Sequence, residues 1–176
     1  PLLPGYSGLG NISYGPDGDN WLIPFAHQGD LMFFYVSVNT SVAQGDSVLT
    51  VFSTTGIQNA YTDDSGPPSP DNAFKSSVLA GTRVNEDGTL RAKVDGFGSA
   101  IITPYQFWQI LIRPNEFSTE VEPNNISGQA TPITGPAFTA NAGLDDDFYS
   151  FFANAGEQIV VMVDNDPVDE DPADPL

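Results

Sequence analysis

No stretch of this chain keeps apolar residues at helical spacing for three turns. It is cut instead into short β-branched and aromatic runs bounded by turn formers, and that rhythm restricts it to an all-β fold. Asp46-Ser47-Val48-Leu49-Thr50-Val51-Phe52, Thr89-Leu90-Arg91-Ala92-Lys93-Val94 and Tyr105-Gln106-Phe107-Trp108-Gln109-Ile110-Leu111-Ile112 read as strands. Between them lie Asp64-Ser65-Gly66-Pro67-Pro68, Glu86-Asp87-Gly88 and Asp95-Gly96-Phe97-Gly98, whose Gly, Pro and Asp residues set turn dihedrals or bond their own backbone. About ten such strands alternate with turns, which predicts β-sandwiches.

The cores can be real, because 40% of the 176 residues are hydrophobic and 11% aromatic. Charge is one-sided: 5 Lys and Arg stand against 23 Asp and Glu, for a net charge of −18. A surface like this repels polyanions, which excludes nucleic acid and disfavours anionic membranes. There is no cysteine, hence no disulfide, thiolate metal site or cysteine nucleophile. The longest apolar runs, Leu31 to Val36 and Ile159 to Val163, are far shorter than a helical membrane span. Pro1 to Gly5 show no basic segment followed by an apolar core, so any secretion signal is expected to lie outside this chain.

An internal repeat divides the chain. Asn20 to Val36 align without a gap on Asp147 to Val163, with Phe25/Phe152, Ala26/Ala153, Gly29/Gly156 and Val36/Val163 identical. An acid follows each glycine, Asp30 in one copy and Glu157 in the other. Each copy reads as strand, glycine turn, strand, which predicts a β-hairpin. The expected organisation is a first sandwich over residues 1–115, a linker over 116–119 and the first part of a second sandwich over 120–176. The second copy has no counterpart of Leu49 through Ile112.

Glu120-Val121-Glu122-Pro123-Asn124-Asn125, then Gln129-Ala130-Thr131-Pro132-Ile133, Asp145-Asp146-Asp147-Phe148-Tyr149-Ser150-Phe151 and Ala155-Gly156-Glu157 follow a recognisable order. It resembles the bacterial pre-peptidase C-terminal (PPC) domain family, with its E-x-E-P-N-N opening, acidic step before an aromatic strand and alanine-glycine turn. The first copy resembles the later part of that family, through Gly45 to Phe52, Asp63 to Gly66 and Asp87 to Val94. The resemblance implies secreted, non-catalytic sandwiches of jelly-roll type, either C-terminal in exported hydrolases or tandem in surface proteins. It also implies calcium between the opening segment and the acidic step. The first copy departs from this pattern: it has no E-P-N-N segment, and Asn20 stands where the second copy has Asp147.

The residues themselves suit a hard cation. Calcium takes six to eight oxygen ligands. Glu120, Glu122 and Asn124 would share one face of an extended segment, with Asn125 beside them. Asp145, Asp146 and Asp147 are adjacent acids that repel unless a cation or solvent neutralises them. These seven residues are the candidate Ca2+ ligands. Asp17-Gly18-Asp19-Asn20, Asp63-Asp64-Ser65-Gly66 and the acidic stretch Asp164 to Asp174 are further oxygen donors that read equally as solvated turns. No catalytic residue is expected. His27, the single histidine, lies in a turn and faces Asn154 in the other copy, and no G-x-S-x-G, H-E-x-x-H or Walker pattern occurs. Trp21, Trp108 and Tyr105 offer rings for carbohydrate stacking, although such aromatics commonly belong to a sandwich core.

The functional expectation is an extracellular, non-enzymatic, calcium-binding repeat with a structural or adhesive role in a fibre or surface assembly. The alternative is an accessory C-terminal module of a secreted peptidase or other hydrolase. Self-association head to tail, or contact with neighbouring repeats, is expected to cover the second copy's apolar residues. A strand drawn from Pro1 to Tyr14 of another chain is one way to do so.

Overall fold

The computed structural model describes residues 6–13, 17–38, 45–63, 76–135, 137–141, 145–157 and 159–163. Eight strands make up the first unit: β1 (Tyr6–Ile12), β2 (Asp19–Ala26), β3 (Leu31–Val38), β4 (Ser47–Phe52), β5 (Gln58–Asp63), β6 (Ser77–Arg83), β7 (Gly88–Gly96) and β8 (Ile102–Ile112). They form two antiparallel four-stranded sheets, in the orders β1-β8-β3-β6 and β2-β7-β4-β5. β1 pairs with β8, β2 with β7, β3 with β6 and β4 with β5. The chain therefore doubles back as one long ribbon around the β4–β5 turn and winds so that successive pairs fall in opposite sheets. That is a jelly roll, and the chain is an all-β sandwich.

Alternation builds the core. Met32, Phe34, Val36 and Val38 on β3 face Leu90, Ala92 and Val94 on β7, with Leu49, Val51, Tyr105 and Phe107 in the same buried cluster. Burying a side chain of Leu or Phe size stabilises by roughly 1.5–3 kcal/mol, so this single layer between the sheets is what holds them together.

The expected hairpin at Asn20–Val36 is not a hairpin. β2 and β3 lie in opposite sheets, and the tight turn between them is a corner of the sandwich. A bulge explains the switch. β2 pairs Ile23 with Leu90 and then Ala26 with Gly88, so Pro24 and Phe25 together oppose the single residue Thr89, one residue in excess, and Phe25 takes φ 64°. The bulge bends β2 out of its plane before the turn, as strands do where they change sheets. The corner is then tied to the β6–β7 loop, with Gly29 N donating to Val84 O at 2.8 Å and Val84 N to Asp30 O at 2.8 Å.

β1, which sequence suggested as a strand for another chain, pairs with β8 of its own sandwich. Beyond β8 the chain forms four two-residue strands: β9 (Ser118–Thr119), β10 (Thr131–Pro132), β11 (Phe138–Thr139) and β12 (Tyr149–Ser150). β9 pairs with β11 and β10 with β12, both in parallel. Among the described residues, Ile159 to Val163 belong to no strand, so the second copy is not a hairpin either. Its equivalent in the first copy, β3, is held on both sides by β6 and β8. No such neighbours occur among the described residues of the second unit.

The outer face of the β1-β8-β3-β6 sheet is apolar as well. Phe33, Trp108, Ile110 and Ile112 project from it and, together with residues from 117–163, line a chamber of about 1030 Å³. Trp108 is thus on the opposite side of β8 from Tyr105 and Phe107, which follows from the two-residue period of a strand.

Candidate metal centre

Residues 120–124, expected as an extended strand, form no ladder strand of their own. Backbone bonds to their neighbours place them instead. Glu120 N donates to Thr139 O at 3.1 Å, and Phe148 N donates to Asn124 O at 3.0 Å. Thr131 clamps the segment from inside: its hydroxyl donates to Val121 O at 3.0 Å and accepts from Val121 N at 3.1 Å. Asn124 N donates to Glu122 Oε2 at 2.9 Å, which turns that carboxylate inward.

Glu120, Glu122 and Asp147 then converge, with carboxylate oxygens within 4.8 Å of one another. Among the described residues this is the one group of acids able to hold a metal ion. Asn124, 0% exposed, lies beside it. Its hydrogen bonds decide which way the amide points. With its nitrogen toward the cluster it donates to Glu122 Oε2 at 3.3 Å and Asp147 Oδ1 at 3.0 Å. The opposite orientation, with the nitrogen 3.4 Å from Thr131 Oγ1, sets its oxygen against those same carboxylates, acceptor facing acceptor.

The electrostatics separate the acids. Glu120 is held below the usual carboxylate range, first by the Asn141 N–H at 2.6 Å and then by the Tyr149 hydroxyl at 2.8 Å. Asp147 is pushed up by desolvation, then by the charges of Glu120, Asp145 and Asp146. Burial and the bond to Glu120 push the Tyr149 hydroxyl up to about 12. The two shifts run in opposite directions, so Glu120 keeps its charge to lower pH than an ordinary glutamate and Asp147 is neutralised at higher pH than an ordinary aspartate.

The other expected ligands lie elsewhere. Asn125 and Asp145 are exposed and bond each other, Asn125 Nδ2 donating to Asp145 Oδ2 at 2.8 Å. Asp146 is exposed and outside the group. Sequence reasoning missed Thr131, Tyr149 and Asn141. Tyr149 had a signal, since it is two residues from Asp147 and so on the same side of an extended chain. The other two had none, because their contribution is a backbone contact or an internal clamp.

Asp19, another proposed oxygen donor, is engaged by the core: Tyr105 donates to its Oδ2 at 2.7 Å, and Trp21 Nε1 donates to the Tyr105 hydroxyl at 2.9 Å. Asp64 to Gly66 and the acidic stretch from Asp164 lie outside the described residues. Trp21 and Tyr105 meet edge to face on the inner side of the sheets and Trp108 lies on the far side of β8, so the three rings form no common platform for a sugar. His27 is in the corner turn with Nδ1 3.6 Å from Asp87 Oδ1.

No family model matches the chain, and no curated protein is significantly similar to it. Fold and site define an acidic jelly-roll sandwich followed by a unit that carries a carboxylate cluster able to hold a metal ion.

Proposed function

We propose that this chain is a non-catalytic, extracellular β-sandwich repeat of PPC type, stabilised by calcium and structural or adhesive in role. The observation that carries the reading is the convergence of Glu120, Glu122 and Asp147 on the buried Asn124. Three carboxylates are hard donors, a bound ion would turn the Asn124 amide oxygen toward it, and water completes the shell of an ion that accepts six to eight oxygens. Magnesium demands near-octahedral geometry and gives up water reluctantly, so a set of irregular protein oxygens favours calcium.

A structural role draws support from what is left uncovered. Phe152, Val161 and Val163 are 87%, 73% and 81% exposed, apolar side chains that a neighbouring repeat or a second copy would cover. Isothermal titration with calcium and magnesium tests the site. One calcium per chain, lost in Asp147→Asn and in Glu122→Gln, is the expected result; heats identical to those of buffer would overturn it. Light scattering tests association, with a strictly monomeric particle at all concentrations counting against self-assembly.

A further inference from the structure

We propose that the cavity between β1 and β2, with the Trp21 ring as its floor and Gln109 as its polar anchor, binds one neutral sugar ring. It lies within the first sandwich and shares no residue with the cation cluster, so the two readings stand or fall separately.

β1 is the edge of one sheet and β2 the edge of the other, and Trp21 reaches from β2 across to β1. Glycine at position 8 admits it. A methyl there would lie 2.4 Å from the Trp21 ring, so any side chain would displace the indole. The ring is also fixed in orientation. Its Nε1 donates to the Tyr105 hydroxyl at 2.9 Å, and that hydroxyl donates to Asp19 Oδ2 at 2.7 Å. Phe107 packs on it with ring centroids 5.5 Å apart. The one donor of the indole is thus engaged inside the sandwich, and what the partly buried ring offers the cavity is apolar surface held in place before any ligand arrives.

The cavity holds about 320 Å³, at the low end of the range for small-molecule sites, which suits a single ring. Leu22 and Pro24, beside the bulge in β2, continue its apolar wall. Gln109 supplies the polar group. Phe107 faces the core, and Gln109, two residues further along β8, faces the same way. Its Oε1 is buried and has no hydrogen-bond partner among the described residues.

These features select the ligand. None of the lining residues is charged, so an ion would enter without a counter-charge. A wholly apolar ring would leave Gln109 Oε1 unpaired, at the cost of a buried acceptor. A pyranose meets both conditions: its C–H face lies on the indole, and a hydroxyl at its rim donates to Gln109 Oε1.

Trp108→Phe leaves Trp21 as the sole tryptophan, so the emission of this variant reads the cavity. It is titrated with the methyl β-glycosides of glucose, galactose and N-acetylglucosamine, and with tetramethylammonium chloride as a cationic probe. Saturation-transfer NMR on the native chain runs alongside with the same compounds. At least one glycoside should saturate with a Kd on the order of 1 mM, the affinity a one-ring ligand reaches at ordinary ligand efficiency. Gln109→Met, which keeps the length of the side chain and removes its amide, should weaken that binding about fivefold or more. Urea unfolding of each variant checks that the sandwich is intact. Absence of saturable binding by all the glycosides overturns the proposal, as does saturation by tetramethylammonium alone. Glycoside binding undiminished in a folded Gln109→Met overturns its placement in this cavity.

Discussion

Gly29 and Gly156 turn the chain in the same left-handed way, at φ 92° and φ 90°. In each case the following acid accepts from the backbone N–H three residues back, Asp30 Oδ2 from His27 at 2.9 Å and Glu157 Oε2 from Asn154 at 2.7 Å. The backbone closes both turns identically, Asp30 N to His27 O at 3.0 Å and Glu157 N to Asn154 O at 3.1 Å. The repeat visible in the sequence is thus a shared local conformation. The surroundings differ: Asp30 is 1% exposed with Arg113 Nε at 4.0 Å, whereas Glu157 is exposed.

Gly29→Ala is expected to cost about 1–2 kcal/mol, the penalty of holding an L-residue in the left-handed region. A methyl there meets nothing within 4 Å, so backbone strain is the whole effect. Urea denaturation of the first sandwich measures it. Gly156→Ala imposes the same local strain but should leave that transition in place, since its turn lies outside the sandwich.

Phe25 is 70% exposed yet sits at φ 64°, a conformation that suits glycine or asparagine. Phe25→Gly should therefore keep or raise stability, with the relieved strain offset in part by the freer unfolded chain. A loss of more than about 1 kcal/mol in the same denaturation assay would show that the ring carries a contact of its own.

Tyr105 is buried and donates to Asp19, and both effects raise its hydroxyl well above the ordinary tyrosine value near 10. The unfolded chain then loses that proton at lower pH than the folded one. The resulting stability is complete below pH ~10 and falls as pH rises beyond it. Denaturation midpoints should decline between about pH 9.5 and 11.5, and less steeply in Tyr105→Phe, compared at matched pH. Superimposable pH profiles for the two proteins would contradict this.

Calcium at a hundredfold excess over its dissociation constant should stabilise the unit that binds it by about 2.7 kcal/mol. Differential scanning calorimetry with and without chelator reads the shift in Tm. Asp147→Asn should remove most of it, whereas Asp146→Asn, outside the cluster, should retain it. Equal loss in both variants would place the ion elsewhere in the acidic loop.

What the sequence determined by itself is local. Strand and turn positions follow from β-branched runs and from Gly, Pro and Asp at the breaks, and the two glycine turns follow from a dihedral that other residues enter at a cost. The proximity of Glu120, Glu122 and Asn124 also follows from chain connectivity. Only the tertiary structure decided that β2 and β3 part into opposite sheets, because strand, turn, strand is the same pattern whether the strands pair or cross a corner. Tertiary packing likewise brought Asp147 to the opening segment while leaving Asp145 on Asn125 and Asp146 in solvent. Adjacent residues on an extended chain point to opposite sides, so alternation sets Asp146 apart from Asp145 and Asp147 but does not choose between those two. Which one depends on the register in which Phe148 N meets Asn124 O, and that bond spans two segments whose separation along the chain does not encode it.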